Sequence, residues 1–297
     1  MDIDYLLFLQ NFRVSTEGVL DTFFLTVTDL ATPLVTFLLF ALVYWCVDKK
    51  TGAAMGWNIA VACSINAVIK RFFNIPRPWL RDSRIQPVEA ALADAKNASF
   101  PSGHTTRTTA AWGTLGFYLW RDGRQKSSGL KKILSVICWI IVPLVMFSRN
   151  YLGVHTPQDV LVAFLLGIAI ILSVNRLLDW ADGNNRKYDL IIVAVAAVLC
   201  IIPMILYGPL ANCGTAIGVF LGWYVERRWI NFEVSGNVVK KVIGFLLGAA
   251  VIVVLLTFAV PVLTHFMKKA LATFVTYMLI GFFIMAIYPL VFKKVSL

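Results

Sequence analysis

The sequence predicts an all-α, polytopic transmembrane helical bundle of about nine spans, and three observations carry that prediction. Hydrophobic residues make up 59% of the 297-residue chain and charged residues only 14%, proportions foreign to soluble globular domains. Mean hydropathy is +0.77. Apolar runs long enough to cross a bilayer, roughly 17 to 25 residues, recur along almost the whole length, and no repeat or low-complexity tract interrupts them.

Taken in order, the start (Met1 to Arg13) has no basic leader and no small-residue cleavage site. An amphipathic helix on the membrane surface is expected there, not a secretory signal. Residues 16–29 carry Glu17, Asp21 and Asp29, which assigns them to the same entry segment and makes residues 1–29 one region. Spans are expected at 30–47, 52–70, 103–120, 133–148, 158–178, 189–207, 209–225, 241–263 and 270–292. The first run is short, and Pro203 with Gly208-Pro209 cuts the sixth and seventh, so the count rests on those places. Residues 79–100 and 226–240 are polar loops. Cys46, Cys63, Cys138, Cys200 and Cys213 show neither paired nor metal-ligand spacing and are expected to serve as packing residues.

The chain carries a formal charge of +11. With nine spans, Lys49-Lys50, the 121–132 loop, the 176–187 and 227–241 segments and Lys293-Lys294 fall on one side and hold most of the 27 Lys and Arg. The positive-inside rule puts that side in the cytoplasm. Most of the remainder (Lys70, Arg71, Arg77, Arg81, Arg84, Lys96, Arg107) cluster on the opposite face. The charge is thus topology plus an anion site, and calls for membrane lipids as partners and no nucleic acid.

Only three histidines occur. Two of them, His104 in Pro101-Ser102-Gly103-His104 and His155 in the run Ser148 to His155, sit among phosphate-friendly groups. Phosphoryl transfer to a protein nucleophile needs the nucleophile, a group that orients it, an acid for the leaving oxygen, and cations or N–H donors for the equatorial oxygens. His155 supplies the first. Thr156 can cap the following helix and Pro157 suits its first position, so Asp159 falls in the first turn, able to accept from His155 Nδ1 and leave Nε2 unprotonated. An Asp favoured by the helix dipole alone would leave His155 unexplained. Ser102 and the first N–H groups of the 105–120 helix make an anion site, Gly103 permits close backbone approach, and His104 can protonate the leaving alkoxide. By itself His104 fits an interfacial histidine in an N-terminal turn; its joint occurrence with His155 argues for chemistry. Arg77 and Arg149 can fork onto two phosphate oxygens while Lys70 gives a point charge. The competing role for each is snorkelling to the headgroups, and Arg71, Arg81 and Arg84 are assigned to it. His265 has no partner motif and is expected at the surface.

Lys70 with six residues before Arg77-Pro78, then Pro101-Ser102-Gly103-His104, then Ser148-Arg149 with five residues before His155 and three more before Asp159, resembles the three signatures of the type 2 phosphatidic acid phosphatase (PAP2) superfamily. The resemblance spans residues 30 to 178 without departure at a charged motif position. It implies a metal-independent, cofactor-free phosphatase with a phosphohistidine on His155, oriented by Asp159, with His104 as general acid. Lys70, Arg77, Ser102, Gly103 and Arg149 would hold the phosphate. It also implies a PAP2-like core over residues 30–180 and a C-terminal transmembrane extension over 181–297. That extension could shape a lipid entrance, form a homo-oligomer interface or only anchor. The superfamily includes soluble haloperoxidases, which the hydropathy opposes, and phosphatases of lipid phosphates, prenyl diphosphates and glucose 6-phosphate. A membrane-level cleft suits a lipid or prenyl phosphate entering sideways, at the extracytoplasmic face of a plasma membrane. A sugar phosphate is the alternative, and a non-enzymatic anion transporter fits less well, since few ionisable residues lie within the later spans. Asn97-Ala98-Ser99 is a glycosylation sequon in the proposed outer loop.

Overall fold

The computed structural model describes residues 2–95, 97–125, 128–208, 210–234 and 236–295. Lys96, Lys126 and Pro209 of the sequence reading, and the side chain of Lys294, lie outside it. The described residues form helices joined by short loops: α1 (Asp2–Ser15), α2 (Asp21–Asp29), α3 (Pro33–Leu42), α4 (Lys49–Phe73), α5 (Pro78–Arg81), α6 (Glu89–Leu92), α7 (Gly103–Thr108), α8 (Thr114–Gln125), α9 (Gly129–Tyr151) and α10 (Pro157–Gly183). Beyond these come α11 (Asp189–Tyr207), α12 (Ala211–Val225), α13 (Val238–Val254), α14 (Val260–Leu263), α15 (Lys269–Phe282) and α16 (Tyr288–Val295). Single π-helical turns join α7 to α8, α13 to α14 and α15 to α16, and extend α3 and α12. An all-helical design follows from the solvent, because a backbone in lipid must satisfy its own hydrogen bonds.

Among the described residues, six helical segments are long and apolar enough to cross a membrane, or seven if α2 and α3 count as one broken span. The expected nine is not reached on this measure. The segment 103–125 is continuously helical but opens on His104, Thr105, Thr106, Arg107, Thr108 and Thr109, which lower its hydropathy. The segment 211–230 carries Glu226, Arg227 and Arg228 in its final turn. A further difference concerns residues 21–29. They form a helix that passes the span test only together with Pro33–Val47, whereas the sequence placed them in a surface segment. Pro33 begins α3 and ends the earlier helix, as its missing N–H and its effect on the preceding residue require.

The chain divides into two compact units. The first comprises residues 1–36 and 65–170. Its core joins Phe24 of α2 to Tyr151, Leu152 and Val154 and to Ala91 and Ala95 of the long loop, while Val27 and Ala31 pack on Val145. Tyr151 donates to Asp21 Oδ1 at 3.0 Å. Helix α1 clasps the 82–88 loop, with Gln10 bonded to both Arg84 and Gln86 and Arg13 donating to the Gln86 carbonyl. Arg81 and Arg84, assigned to snorkelling, pair instead with Asp2 and Asp82.

The second unit comprises residues 37–64 and 171–297. Here α12 and α15 approach so closely that glycine is required: a Cβ on Gly218 would lie 2.1 Å from the Met278 carbonyl oxygen, and one on Gly214 2.2 Å from that of Phe274. Without a hydrophobic driving force between helices in lipid, such backbone contact is a main source of association. Trp45 donates to the Ile284 carbonyl at 2.9 Å, and the buried Glu226 accepts from Lys49 at 2.6 Å. The cysteines are thiols outside any disulfide, and four of the five are buried. His265 is exposed beside the carbonyls at the end of α14.

Gly218→Ala is expected to cost about 1–3 kcal/mol through overpacking, whereas Gly129→Ala, whose Cβ meets nothing, should stay within about 0.5 kcal/mol of the parent. Thermal unfolding of the two variants in the same detergent checks this. Equal midpoints would mean that the α12–α15 contact is looser than described.

Candidate active site

Every sequence-selected motif residue lies in the first unit. The site forms where five helix ends meet. Lys70 ends α4, Arg77 precedes α5, Ser102 caps α7, Arg149 lies in the last turn of α9, and Pro157 opens α10.

Between α9 and α10 the chain reverses in five residues. Gly153 takes a φ of +73° and packs against Pro87, whose Cα would be 3.1 Å from an added Cβ, so an L side chain there would be strained as well as crowded. The reversal is tied by the Arg149 carbonyl, which accepts from the N–H groups of Val154 and His155, and by Asn150 Nδ2, which donates to the His155 carbonyl at 2.9 Å. Thr156 then caps α10 reciprocally: its N–H donates to Asp159 Oδ2 at 2.9 Å and its hydroxyl accepts from the Asp159 N–H at 3.4 Å, the geometry of a capping box with Asp in the acidic position.

That cap fixes the carboxylate beside the imidazole. His155 Nδ1 is 3.3 Å from Asp159 Oδ2, and Nε2 is 2.9 Å from Arg77 Nη1. A guanidinium can only donate. Nε2 must therefore accept, and the imidazole proton sits on Nδ1 facing Asp159. Burial, followed by the charges of Arg77, Lys70 and Arg149, pushes the His155 pKa well below the ordinary histidine range, so the ring is neutral at neutral pH.

The cations are ordered by backbone carbonyls. Lys70 Nζ donates to Ala98 and Ser99 at 2.7 and 3.0 Å, and Arg77 Nε to Asn97 at 2.7 Å. Arg77 Nη1 also donates to Val154 at 2.9 Å. Arg149 is 1% exposed, which removes snorkelling as its role. Its Nη1 donates to Thr28 Oγ1 at 2.8 Å, yet Nε and Nη2 have no protein partner. His104, 8% exposed, has an unpartnered Nε2 with the Asp94 carboxylate 3.9 Å away. It lies within electrostatic range of Arg149, His155 and Arg77. Ser102 is fully buried; its N–H donates to the Asp159 carbonyl at 2.9 Å and its hydroxyl caps α7. A Cβ on Gly103 would meet only Asn66 Oδ1 and Lys70 Cε at 3.8 Å, so no protein atom demands glycine there and its bare side faces Lys70.

Three supports were not among the sequence-selected residues. Ser99 Oγ donates to Asp159 Oδ2 at 2.5 Å, and the sequon that contains it serves this bond and the carbonyls facing Lys70 and Arg77. Thr28 orders Arg149 from α2, and Asn66 braces the Pro101 carbonyl and Thr106. Thr28 and Asn66 are ordinary polar residues in apolar runs and Ser99 is one of many in a polar loop, so each is distinguishable only once the fold brings it to a partner far along the chain.

A buried His–Asp pair, a second buried histidine and three surrounding cations make an arrangement whose donors can take the oxygens of a tetrahedral oxyanion. The chain belongs to the PAP2 superfamily: the superfamily model matches residues 51–182, and the model of the PAP2 phosphatase transmembrane extension matches residues 210–297. Among curated relatives, lipid phosphate phosphatase delta of Arabidopsis thaliana is 28% identical over 55% of this chain and 40% of its own length. Phosphatidylglycerophosphatase B of Bacillus subtilis is 34% identical over 33% and 47%. Decaprenylphosphoryl-5-phosphoribose phosphatase of Mycobacterium tuberculosis is 34% identical over 47% and 66%. The chain thus spans less than half the length of the first two. No solved structure gives a significant match.

If Arg149 and His104 await an oxyanion, orthovanadate should raise the unfolding midpoint of the parent protein, by the equivalent of about 2.7 kcal/mol at a hundredfold excess over its Kd. Arg149→Gln should lose most of that shift. An undiminished shift in Arg149→Gln would locate the anion elsewhere.

Proposed function

We propose that the protein is a metal-independent membrane phosphatase that hydrolyses a lipid or prenyl phosphate or diphosphate through a phosphohistidine on His155. The observation that carries this reading is the coincidence of a neutral, oriented His155 with the unpaired, buried donors of Arg149 and His104. Leaving those donors unmatched costs about 1–3 kcal/mol each, more for the charged group; a bound phosphate removes that cost.

In the proposed reaction the phosphate oxygens take the free N–H groups of Arg149, with Arg77, Lys70 and the α7 N-terminus at Ser102 and Gly103 as further donors. Drawing Arg77 Nη1 onto phosphate frees the His155 Nε2 lone pair. Nε2 forms the bond to phosphorus as the P–O bond to the alcohol breaks, and His104, its protonated form favoured by the bound phosphate, gives its proton to the leaving oxygen. Asp159 holds the imidazole and stabilises the positive charge that develops on it. Water then attacks the phosphohistidine with His104 as base, releasing orthophosphate and restoring both histidines.

The substrate class rests on the setting. A site at the ends of apolar helices suits an amphiphile presented from the bilayer, and relatives named for lipid and decaprenyl phosphates support that choice. Residues 30–180 would supply the chemistry and 181–297 the extension. The active site would face the extracytoplasmic side of the plasma membrane. The continuous 103–125 helix and α9 support this independently of the total span count: His104 and Arg149 lie at one end of the pair, and Arg121, Arg124, Lys131 and Lys132 at the other, which the positive-inside rule assigns to the cytoplasm.

His155→Ala should be inactive on every substrate, while His104→Ala should recover part of its rate on an activated aryl phosphate whose leaving oxygen needs no proton. Asp159→Asn should cost on the order of 10²- to 10⁴-fold if the triad precedent transfers, and Ser99→Ala roughly ten- to hundredfold. Rapid-quench labelling with ³²P substrate should trap an acid-labile, base-stable adduct; its survival in His155→Ala would overturn the assignment. Because the His155 pKa is depressed, the imidazole remains a free base as pH falls through the ordinary value of about 6.5. Single-turnover adduct formation that titrates away at or above that value would show a normal, solvated histidine instead. In a cysteine-free background, a cysteine at Ser83 should be labelled in intact cells and one at Gly129 only after permeabilisation. The reverse pattern inverts the topology.

A further inference from the structure

We propose that a groove on α8 and α9, at the end away from the candidate active site, holds one anionic phospholipid as a resident, non-substrate ligand. Phe117, Trp120, Arg121 and Arg124 recur at spacings of three and four and share one face of α8. With Gln125 and Trp139 of α9 they line a cavity of about 550 Å³. A second cavity, of about 430 Å³, shares Trp120 and Trp139 and runs on along α9 past Val136, Ile140 and Pro143. The pair makes one trough with a basic head and an apolar tail.

Its chemistry selects an anionic amphiphile. Two guanidinium groups stand at the head and no carboxylate lines either cavity. Asp122, the acid next in sequence, is turned to Lys131 at 2.9 Å. Arg121 is stacked on Tyr118 at 4.3 Å, so the head is partly ordered in advance. In the tail, the one polar side chain, Ser135, is consumed by the Gly116 carbonyl at 2.7 Å. A phosphodiester can take both arginines while an acyl chain lies along Trp139, Ile140 and Pro143; a choline headgroup would set a third cation beside them. The trough is distinct from the catalytic residues, since His104 and Arg121 are separated by about 25 Å of helix at 1.5 Å per residue. Tryptophan and arginine at such a position also match the interfacial belt of a bilayer.

Native mass spectrometry of the purified full-length protein, titrated with dioleoyl phosphatidylglycerol or dioleoyl phosphatidylcholine, tests this. Phosphatidylglycerol is a diester, which a monoesterase leaves intact. The expected result is a retained phosphatidylglycerol adduct that weakens at least tenfold in Arg121→Gln/Arg124→Gln and persists in Arg149→Gln, with phosphatidylcholine bound weakly throughout. Arg124→Glu, a single change at an exposed position, should weaken the adduct as well and serves if the double variant is unstable. An adduct of equal strength in the parent, double variant and Arg124→Glu overturns the proposal, as does equal retention of the two lipids. Loss in Arg149→Gln alone would move the lipid to the active-site end and also overturn it.

Discussion

The burial of cationic donors without enough protein acceptors is the constraint on which the first unit depends. An isolated charge removed from water costs several kcal/mol even after relaxation, and Arg149 is buried with only one of its donors matched by Thr28. Lys70 and Arg77 avoid that cost by turning to the carbonyls of Asn97, Ala98, Ser99 and Val154. The extended strip before Pro101 is therefore a counter-ion made of backbone dipoles, and the helices around it are held in register by the need to keep those carbonyls on the cations. Sequence changes in the strip act on the site through its backbone as much as through its side chains.

A second dependence follows from the cap of α10. One carboxylate oxygen, Asp159 Oδ2, receives Ser99 Oγ, the Thr156 N–H and His155 Nδ1. Helix initiation and imidazole orientation are thus the same event. A capping interaction contributes about 1 kcal/mol to stability, small beside the effect expected from misorienting the ring, so removing Asp159 should be felt far more in the chemistry than in folding. The Arg77 contact to Nε2 adds the tautomer, because a guanidinium leaves the nitrogen no choice but to accept.

Helical class, the entry of each long apolar helix and the residues that gather in one unit were legible in sequence because each rests on a local signal: hydropathy for the spans, Thr-Pro for the α10 cap, motif spacing for the site residues. Span number was less legible. The 103–125 helix buries threonines and His104 against protein, so its composition is that of a site wall and no hydropathy threshold classifies it well. The Thr28–Arg149 and Ser99–Asp159 bonds were invisible because they join residues 121 and 60 apart in the chain, and a lone serine or threonine carries no mark of its partner. The break at Pro33 shows the converse: the proline was visible, but only packing of Phe24 and Val27 into the core tells that the preceding residues are a helix built into the protein.

Helices α8 and α9 join these threads. Their glycine contact at Gly116, where a Cβ would lie 2.8 Å from Trp139 Nε1, fixes the pair at mid-length, and Ser135 adds a bond to the Gly116 carbonyl. At one end α9 and the continuous 103–125 helix carry Arg149 and His104; at the other lie Arg121, Arg124, Lys131 and Lys132. Because the two helices are antiparallel and joined by only a few residues, the orientation proposed above ties the face that receives His104 and Arg149 to the charge of the loop. Moving the basic residues would not merely alter topology. Under the orientation proposed above it would turn the candidate site toward the opposite leaflet, so that in the proposed reaction the side on which phosphate is released follows the insertion signal.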